Sequence, residues 1–286
     1  MKIIFDKDST STPYDNVTTI AVDSENANFP KENLQDDFTT NLWRAADASY
    51  GYEYSFEAGW SFETGWSFAG GVLVATITLQ VAKGSAVMLS NTNAISATIQ
   101  IGSGETYVNE TGYAYESGYA NVGDEISIIS TYALPGEGGR LWVDYAEIAV
   151  PHTITIELTA DSAVSAGIIR AGNVETFLDP ALGLGESAID YSVERELNIG
   201  ADYYRKRNVV RQFDGLSITD TRAKCWALKH DIFDAVGPMP LAIRLISSIY
   251  GTDSEFVAFA KCLESPQIDH ISNDYSRIGF TLQEVI

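Results

Sequence analysis

Apolar and polar positions alternate with a period of two through most of the first 180 residues. Val72-Leu-Val-Ala-Thr-Ile-Thr-Leu79, Ser96-Ala-Thr-Ile-Gln-Ile101, Leu141-Trp-Val-Asp-Tyr145 and His152-Thr-Ile-Thr-Ile-Glu-Leu158 are β-branched or aromatic, with Gly, Asn or Pro between them. Successive side chains of a strand point to opposite faces, so this is the pattern of half-buried strands joined by turns. It predicts an all-β sandwich or jelly roll over residues 1–180.

Leu178-Asp-Pro-Ala-Leu-Gly-Leu-Gly185 has the proline and glycines of a junction, which places a second domain at 186–286. There the strand-like Asn208-Val-Val-Arg-Gln-Phe213 precedes one stretch of helical spacing, in which Ala223, Trp226, Ala227 and Phe233 fall near one face. Ser217 or Thr219 is a candidate cap and Gly237-Pro238 a stop, so the helix is expected at about 217–235. Strands follow it, and the apolar ending Ile278-Gly-Phe-Thr-Leu-Gln-Glu-Val-Ile286 is expected to pair in a sheet, within the domain or against a neighbouring subunit. The C-terminal part therefore reads as a β-barrel or sandwich with one α-helix.

Two tracts depart from ordinary strand pattern. Residues 54–71 read YSFEAG, WSFETG, WSFAGG, and residues 107–124 read YVNETG, YAYESG, YANVGD, each with an aromatic at the first place of every hexad. Six is even, so on an extended chain Tyr54, Phe56, Trp60, Phe62, Trp66 and Phe68 share one side, as do Tyr107, Tyr113, Tyr115 and Tyr119. Such ribbons are expected to pair as an extension of the jelly roll, their aromatics used for packing or subunit contact. A hexapeptide β-helix is the rival geometry, but three coils per tract bury little. Flat aromatic faces also suit the apolar side of pyranose rings, which makes Trp60, Trp66, Tyr113 and Tyr119, with Glu63 and Glu116, the candidate ligand-binding residues.

Charge narrows the partners. The chain carries a formal net charge of −21, and residues 1–180 hold 7 Lys+Arg against 24 Asp+Glu. That field repels phosphate backbones and argues against nucleic acid; Arg205-Lys206-Arg207 with Arg211 is too short a basic cluster to reverse it. No apolar run approaches the roughly 18 residues a membrane span needs, and MKIIFDKDST breaks into charge too early for a secretory signal. A soluble chain made in the cytoplasm is expected. Cys225 and Cys262, both among apolar neighbours, read as reduced thiols.

Catalytic constellations are missing from the sequence. His152, His230 and His270 lie on different elements without metal-ligand spacing, and neither a nucleophile elbow nor a phosphate-binding loop occurs. No cofactor or metal is called for; Asp36-Asp37 and Asn91-Thr-Asn93 offer calcium-type oxygens, but no EF-hand spacing supports calcium and turn chemistry explains them better. Glu57, Glu63, Glu110 and Glu116 supply carboxylate pairs of the kind glycosidases use, yet their recurrence fits a solvated or interfacial face better than catalysis.

Asn28-Phe-Pro-Lys-Glu-Asn-Leu-Gln-Asp-Asp37, Leu42-Trp-Arg-Ala-Ala-Asp47 and Val87-Met-Leu-Ser-Asn-Thr-Asn-Ala94 together resemble the opening of galactose-binding-like (discoidin-like) jelly rolls found in tail and baseplate proteins of tailed bacteriophages. Ala166-Gly-Ile-Ile-Arg-Ala-Gly172 and Asp190-Tyr-Ser-Val-Glu-Arg-Glu-Leu-Asn-Ile-Gly200 also look like such proteins, and the C-terminal layout is similar to their ring-forming domain. The two hexad tracts depart from that family. The resemblance implies a non-enzymatic virion component that assembles through its C-terminal domain with copies of itself and other tail proteins. Its sandwich would serve subunit contacts or host-surface carbohydrate. A free lectin-like protein and a glycan-degrading tail enzyme are the alternatives.

Overall fold

A computed structural model describes residues 1–5, 15–37, 41–46, 73–102, 128–136, 138–180, 185–190, 193–196, 202–205, 209–246 and 256–285. Both hexad tracts lie outside them. The described chain is mainly β, as the alternation predicts, and its strands form stacked antiparallel sheets.

Among the described residues the jelly roll consists of a five-stranded and a three-stranded sheet. The first has the order Val17–Val22, Leu73–Val81, His152–Ala160, Ser96–Gly102, Ile128–Ala133; the second has Gly84–Thr92 at its centre, flanked by Ile168–Gly172 and Gly139–Ile148. In His152–Ala160 the residues Ile154, Ile156 and Leu158 are fully buried while Thr153, Thr155, Glu157 and Thr159 alternate with them. They meet Val87, Leu89, Leu141, Val143, Ile169 and Ala171 of the facing sheet in one apolar core.

Among the described residues an eight-stranded sheet forms the second unit. Its order is Val174–Thr176, Lys2–Ile4, Leu241–Arg244, Val257–Cys262, Tyr275–Glu284, Val209–Thr221, Gly185–Asp190, with Gln267–His270 also pairing along Tyr275–Glu284. The C-terminal apolar strand thus pairs within its own chain, near the centre of the sheet. Lys2–Ile4 and Val174–Thr176 belong to this sheet too, so its make-up crosses the expected division at 180–186. A segment of three residues carries too little periodicity to announce its sheet. Among the described residues the sheet stays open, which corrects the barrel alternative: a helix covers one face instead of a second curl of strands.

That helix spans Arg222 to Val236 and is π-wound from Ala227 to Phe233. It starts later than the expected position near Ser217. Ser217 and Thr219 lie in the strand Val209–Thr221, and the side chain of Thr221 caps the helix by accepting from the Lys224 amide at 3.4 Å. The β-branched alternation of Ser217-Ile-Thr-Asp-Thr221, with Ile218 buried, outweighs the capping propensity of its hydroxyls. Gly237, at φ 65, ends the helix, as expected of a residue that reaches this conformation without strain. Leu228, Ile232 and Phe233 pack on Phe213, Ile218, Ile278 and Leu282 of the sheet.

The two units share a third core. Ile4, Met88, Trp142 and Ile168 pack with Ala242, Val257 and Phe259, between the outer face of the three-stranded sheet and the uncapped face of the eight-stranded one. Ala86–Leu89, Ile168–Ala171 and Val257–Ala260 are consequently buried on both faces, which is why the first and last read as unbroken apolar runs and the middle one is interrupted only by Arg170.

Candidate functional site

The candidate ligand residues Trp60, Trp66, Tyr113, Tyr119, Glu63 and Glu116 lie outside the described residues, as does the expected pairing of their tracts; the structure does show where the tracts attach. Leu73, where the described chain resumes after the first tract, is level with Ala160 and near Ser96. Gly102 and Ile128, which bracket the second, sit at the other end of the same sheet, level with Thr153 and Ile101 respectively. At roughly 3.3 Å per residue the two attachment points are separated by about 23 Å along the strands.

Side chains that cross-link loops hold the first attachment end. Asn93 accepts the Ser165 amide at 2.8 Å and donates to the Ala163 carbonyl at 2.9 Å, while Thr92 donates to the Ser165 carbonyl at 2.7 Å. Asp36 accepts the Asp37 amide at 2.6 Å and the Asn41 amide nitrogen at 2.5 Å. These Asp and Asn side chains are therefore engaged as turn and loop ties. Among the described residues no group of three or more His, Cys, Asp or Glu side chains is placed to hold a metal ion.

Arg170 is the best-connected of these buried groups. It is 1% exposed, and its guanidinium donates to the carbonyls of Asp36 at 2.9 Å, Gln35 at 3.1 Å and Ile169 at 3.2 Å, with the Asp15 carboxylate 3.8 Å away. Burial pushes the Asp15 carboxyl up to about 6, against the opposing pull of Arg170 and of the Val17 and Ala171 amides. Sequence reasoning did not single out Arg170, although an arginine inside the apolar run Ile168-Ile-Arg-Ala171 was the available signal.

Two further ion clusters edge the junction between the units. Asp144 accepts from Lys2 at 2.8 Å, from Arg244 at 3.2 Å and from the Trp142 indole at 2.9 Å. Glu284, 7% exposed, is held by Arg140 and Arg211, each at 2.9 Å. Glu284 is buried, so removing one of its arginines leaves a desolvated charge and the cluster fixes its strands; the pairs of Asp144 are more exposed and tie their strands more weakly.

The described histidines are engaged separately. His152 is buried; its Nδ1 donates to the Val150 carbonyl at 3.0 Å, so Nε2 accepts from the Tyr145 hydroxyl at 3.0 Å, and burial lowers its basicity. His230 pairs with Asp234 at 2.8 Å under the ring of Trp226. His270 meets the hydroxyl of Ser276 at 2.9 Å, but Ser276 is fully buried and closed to a substrate. Burial raises the thiols of Cys225 and Cys262, both unbridged.

No family model and no curated protein matches the chain. Similar solved structures include reduced XRCC1 bound to the DNA polymerase β catalytic domain, at 14% identity and TM-score 0.35 over 56% of this chain and 99% of that one. Chitosan-binding module 1 of a Paenibacillus sp. IK-5 chitosanase/glucanase has 16% identity and TM-score 0.33 over 57% and 97%. The family 32 carbohydrate-binding module of C. perfringens NanJ, in complex with galactose, has 11% identity and TM-score 0.27 over 61% and 100%. Likenesses of this size assign neither a family nor a ligand.

Proposed function

We propose that the protein is a non-catalytic structural component of a bacteriophage tail or baseplate, made in the host cytoplasm and carried in the virion. It assembles with copies of itself and with other tail proteins, and its sandwich anchors the acidic aromatic tracts. The observation that supports this most is the junction: Ile4, Met88, Trp142, Ile168, Val257 and Phe259 are buried between the sheets, and ion pairs from Asp144 and Glu284 edge them. A junction of this kind makes one body of two units, which suits a component that meets its neighbours at a set angle, whereas a tethered lectin functions with a mobile linker. Its non-catalytic character is supported, among the described residues, by the three histidines, each engaged with a structural partner, and by the burial of Ser276.

Size-exclusion chromatography with light scattering and negative-stain imaging of the purified full chain test the reading. Rings or other closed oligomers are expected. A monomer at every concentration, or new reducing ends released from host polysaccharide, overturns it.

A second reading, binding of host-surface carbohydrate by Trp60, Trp66, Tyr113 and Tyr119 with Glu63 and Glu116, is favoured by the shared parity of the aromatics within each tract. Under it, Trp60→Ala and Trp66→Ala abolish glycan binding at unchanged stability; a lowered melting temperature or loosened assembly would point to packing instead.

A further inference from the structure

The strand Tyr275–Glu284 is interrupted on both sides at one residue. Along Val209–Thr221 the pairing passes from Phe213–Leu282 directly to Leu216–Phe280, so Asp214 and Gly215 bulge out beside Thr281. Along the other edge it passes from Cys262–Leu282 to Gln267–Gly279, and residues 263–266 loop out at the same level, tied back by the Leu263 amide to the Thr281 carbonyl at 3.1 Å. Bulges re-aim side chains and open a ladder locally. Here two of them meet, and a cavity of 420 Å³ opens between them. That size falls within the range of about 300–1,000 Å³ usual for small-molecule sites.

Ser217, Glu264, Gln267, Asp269, Arg277 and Thr281 line the cavity. Asp269 and Arg277 are register partners, yet no ion pair joins them, and none of the six side chains has a hydrogen bond within the described chain. Gly279 lies among them in mid-strand. A Cβ added there would meet only the Leu216 carbonyl oxygen, at 3.9 Å, so neither packing nor backbone conformation requires a glycine. A glycine in a strand interior weakens the strand and commonly marks close approach by a ligand or another backbone.

We propose that this groove is a saccharide-binding site for a neutral or amino sugar, separate from the hexad tracts. Sugar hydroxyls both donate and accept, and the groove offers both partners on flat groups: carboxylates at Glu264 and Asp269, a carboxamide at Gln267, a guanidinium at Arg277. Two carboxylates against one guanidinium, on a chain of net charge −21, repel phosphate, sulfate and uronate groups. The mainly polar lining disfavours an apolar ligand. The missing side chain at Gly279 leaves room for a pyranose ring to settle on the strand.

The test is binding of the fluorescently labelled full chain to an array of neutral, amino and acidic glycans, repeated with Gly279→Val, Asp269→Asn and Trp60→Ala. Neutral or amino glycans are expected to bind. Gly279→Val should abolish binding with an unchanged or raised melting temperature, because Val suits a strand. Asp269→Asn, isosteric and exposed, should weaken it about tenfold through loss of a charged acceptor. No bound glycan, binding confined to acidic glycans, or binding that survives both groove variants overturns the proposal. Loss with Trp60→Ala alone assigns glycan recognition to the tract and overturns it too. Failure of the chain to assemble leaves this result intact, so the two readings fail separately.

Discussion

The guanidinium of Arg170 stands 5.1 Å over the ring of Phe259, a jelly-roll residue stacked on a residue of the eight-stranded sheet. Phe259 is fully buried, and Arg170 is fixed from its other side by the carbonyls of residues 34–36. The contact joins the loop that leads toward the first tract, the three-stranded sheet and the eight-stranded sheet in one line.

Phe259→Ala removes the ring from the junction and leaves Arg170 over a void. Core Phe→Ala changes cost about 3–5 kcal/mol. Urea denaturation followed by tryptophan fluorescence should show a loss of that size in a single transition shared by both units. A separate early transition for residues 209–285 would show that the junction is soft.

Asp15 sets a pH dependence. Its folded carboxyl titrates at about 6 against an ordinary value of 3.8, chiefly because burial disfavours the anion. Between those values the folded state holds the proton more tightly than the unfolded one, so Asp15 lowers stability as pH rises from about 4 to 6. The size is about 3 kcal/mol at 1.36 kcal/mol per unit. Asp15→Asn keeps an oxygen for the Val17 and Ala171 amides and carries no charge. Relative to the parent it should gain stability across this window in urea unfolding; parallel pH profiles for the two proteins would contradict the assignment.

What the sequence revealed followed from burial on one face. His152–Ala160 alternates strictly because one side meets the core and the other meets solvent, and it was legible at once. Val257–Ala260 and Ala86–Leu89 are covered on both sides, so their pattern names an apolar strand but not its neighbours. Lys2–Ile4 pairs with Leu241–Arg244, a partner more than two hundred residues away that no local signal encodes. The groove at Thr281 depends on two interruptions in separate strands being brought level by register, and only Gly279 hinted at it. The ion pairs of Glu284 and Asp144 were hidden for the same reason, since each joins residues distant in sequence.

Tyr145 and Gly84 make a second sensitive point. A methyl group on Gly84 would come within 2.6 Å of the Tyr145 hydroxyl and 3.1 Å of the Gly172 backbone. Gly84→Ala should therefore displace Tyr145 from His152 and cost about 1–3 kcal/mol by overpacking. Tyr145→Phe leaves the His152 Nε2 without its donor and should cost about 1–3 kcal/mol. Made together, the two changes should cost less than the sum, because the phenylalanine vacates the space the alanine needs; full additivity in thermal melts would show that the clash and the hydrogen bond are unrelated.

The second tract leaves the five-stranded sheet at Gly102 and returns at Ile128, and Ile101 pairs with Ile128. Its two ends are thus already as close as the ends of a hairpin turn. Replacing residues 103–127 by a short turn containing Asn-Gly should leave the sandwich folded, since this dipeptide favours the turn that joins adjacent antiparallel strands. Shortening the loop lowers its closure entropy and should raise stability by about 1–2 kcal/mol. If the tract serves assembly or host contact, the shortened protein should melt at or above the parent temperature, with its tryptophan near-ultraviolet dichroism largely kept, and lose oligomer formation or glycan binding. A melting temperature lowered by many degrees would show instead that the aromatic hexads contribute to the jelly-roll core.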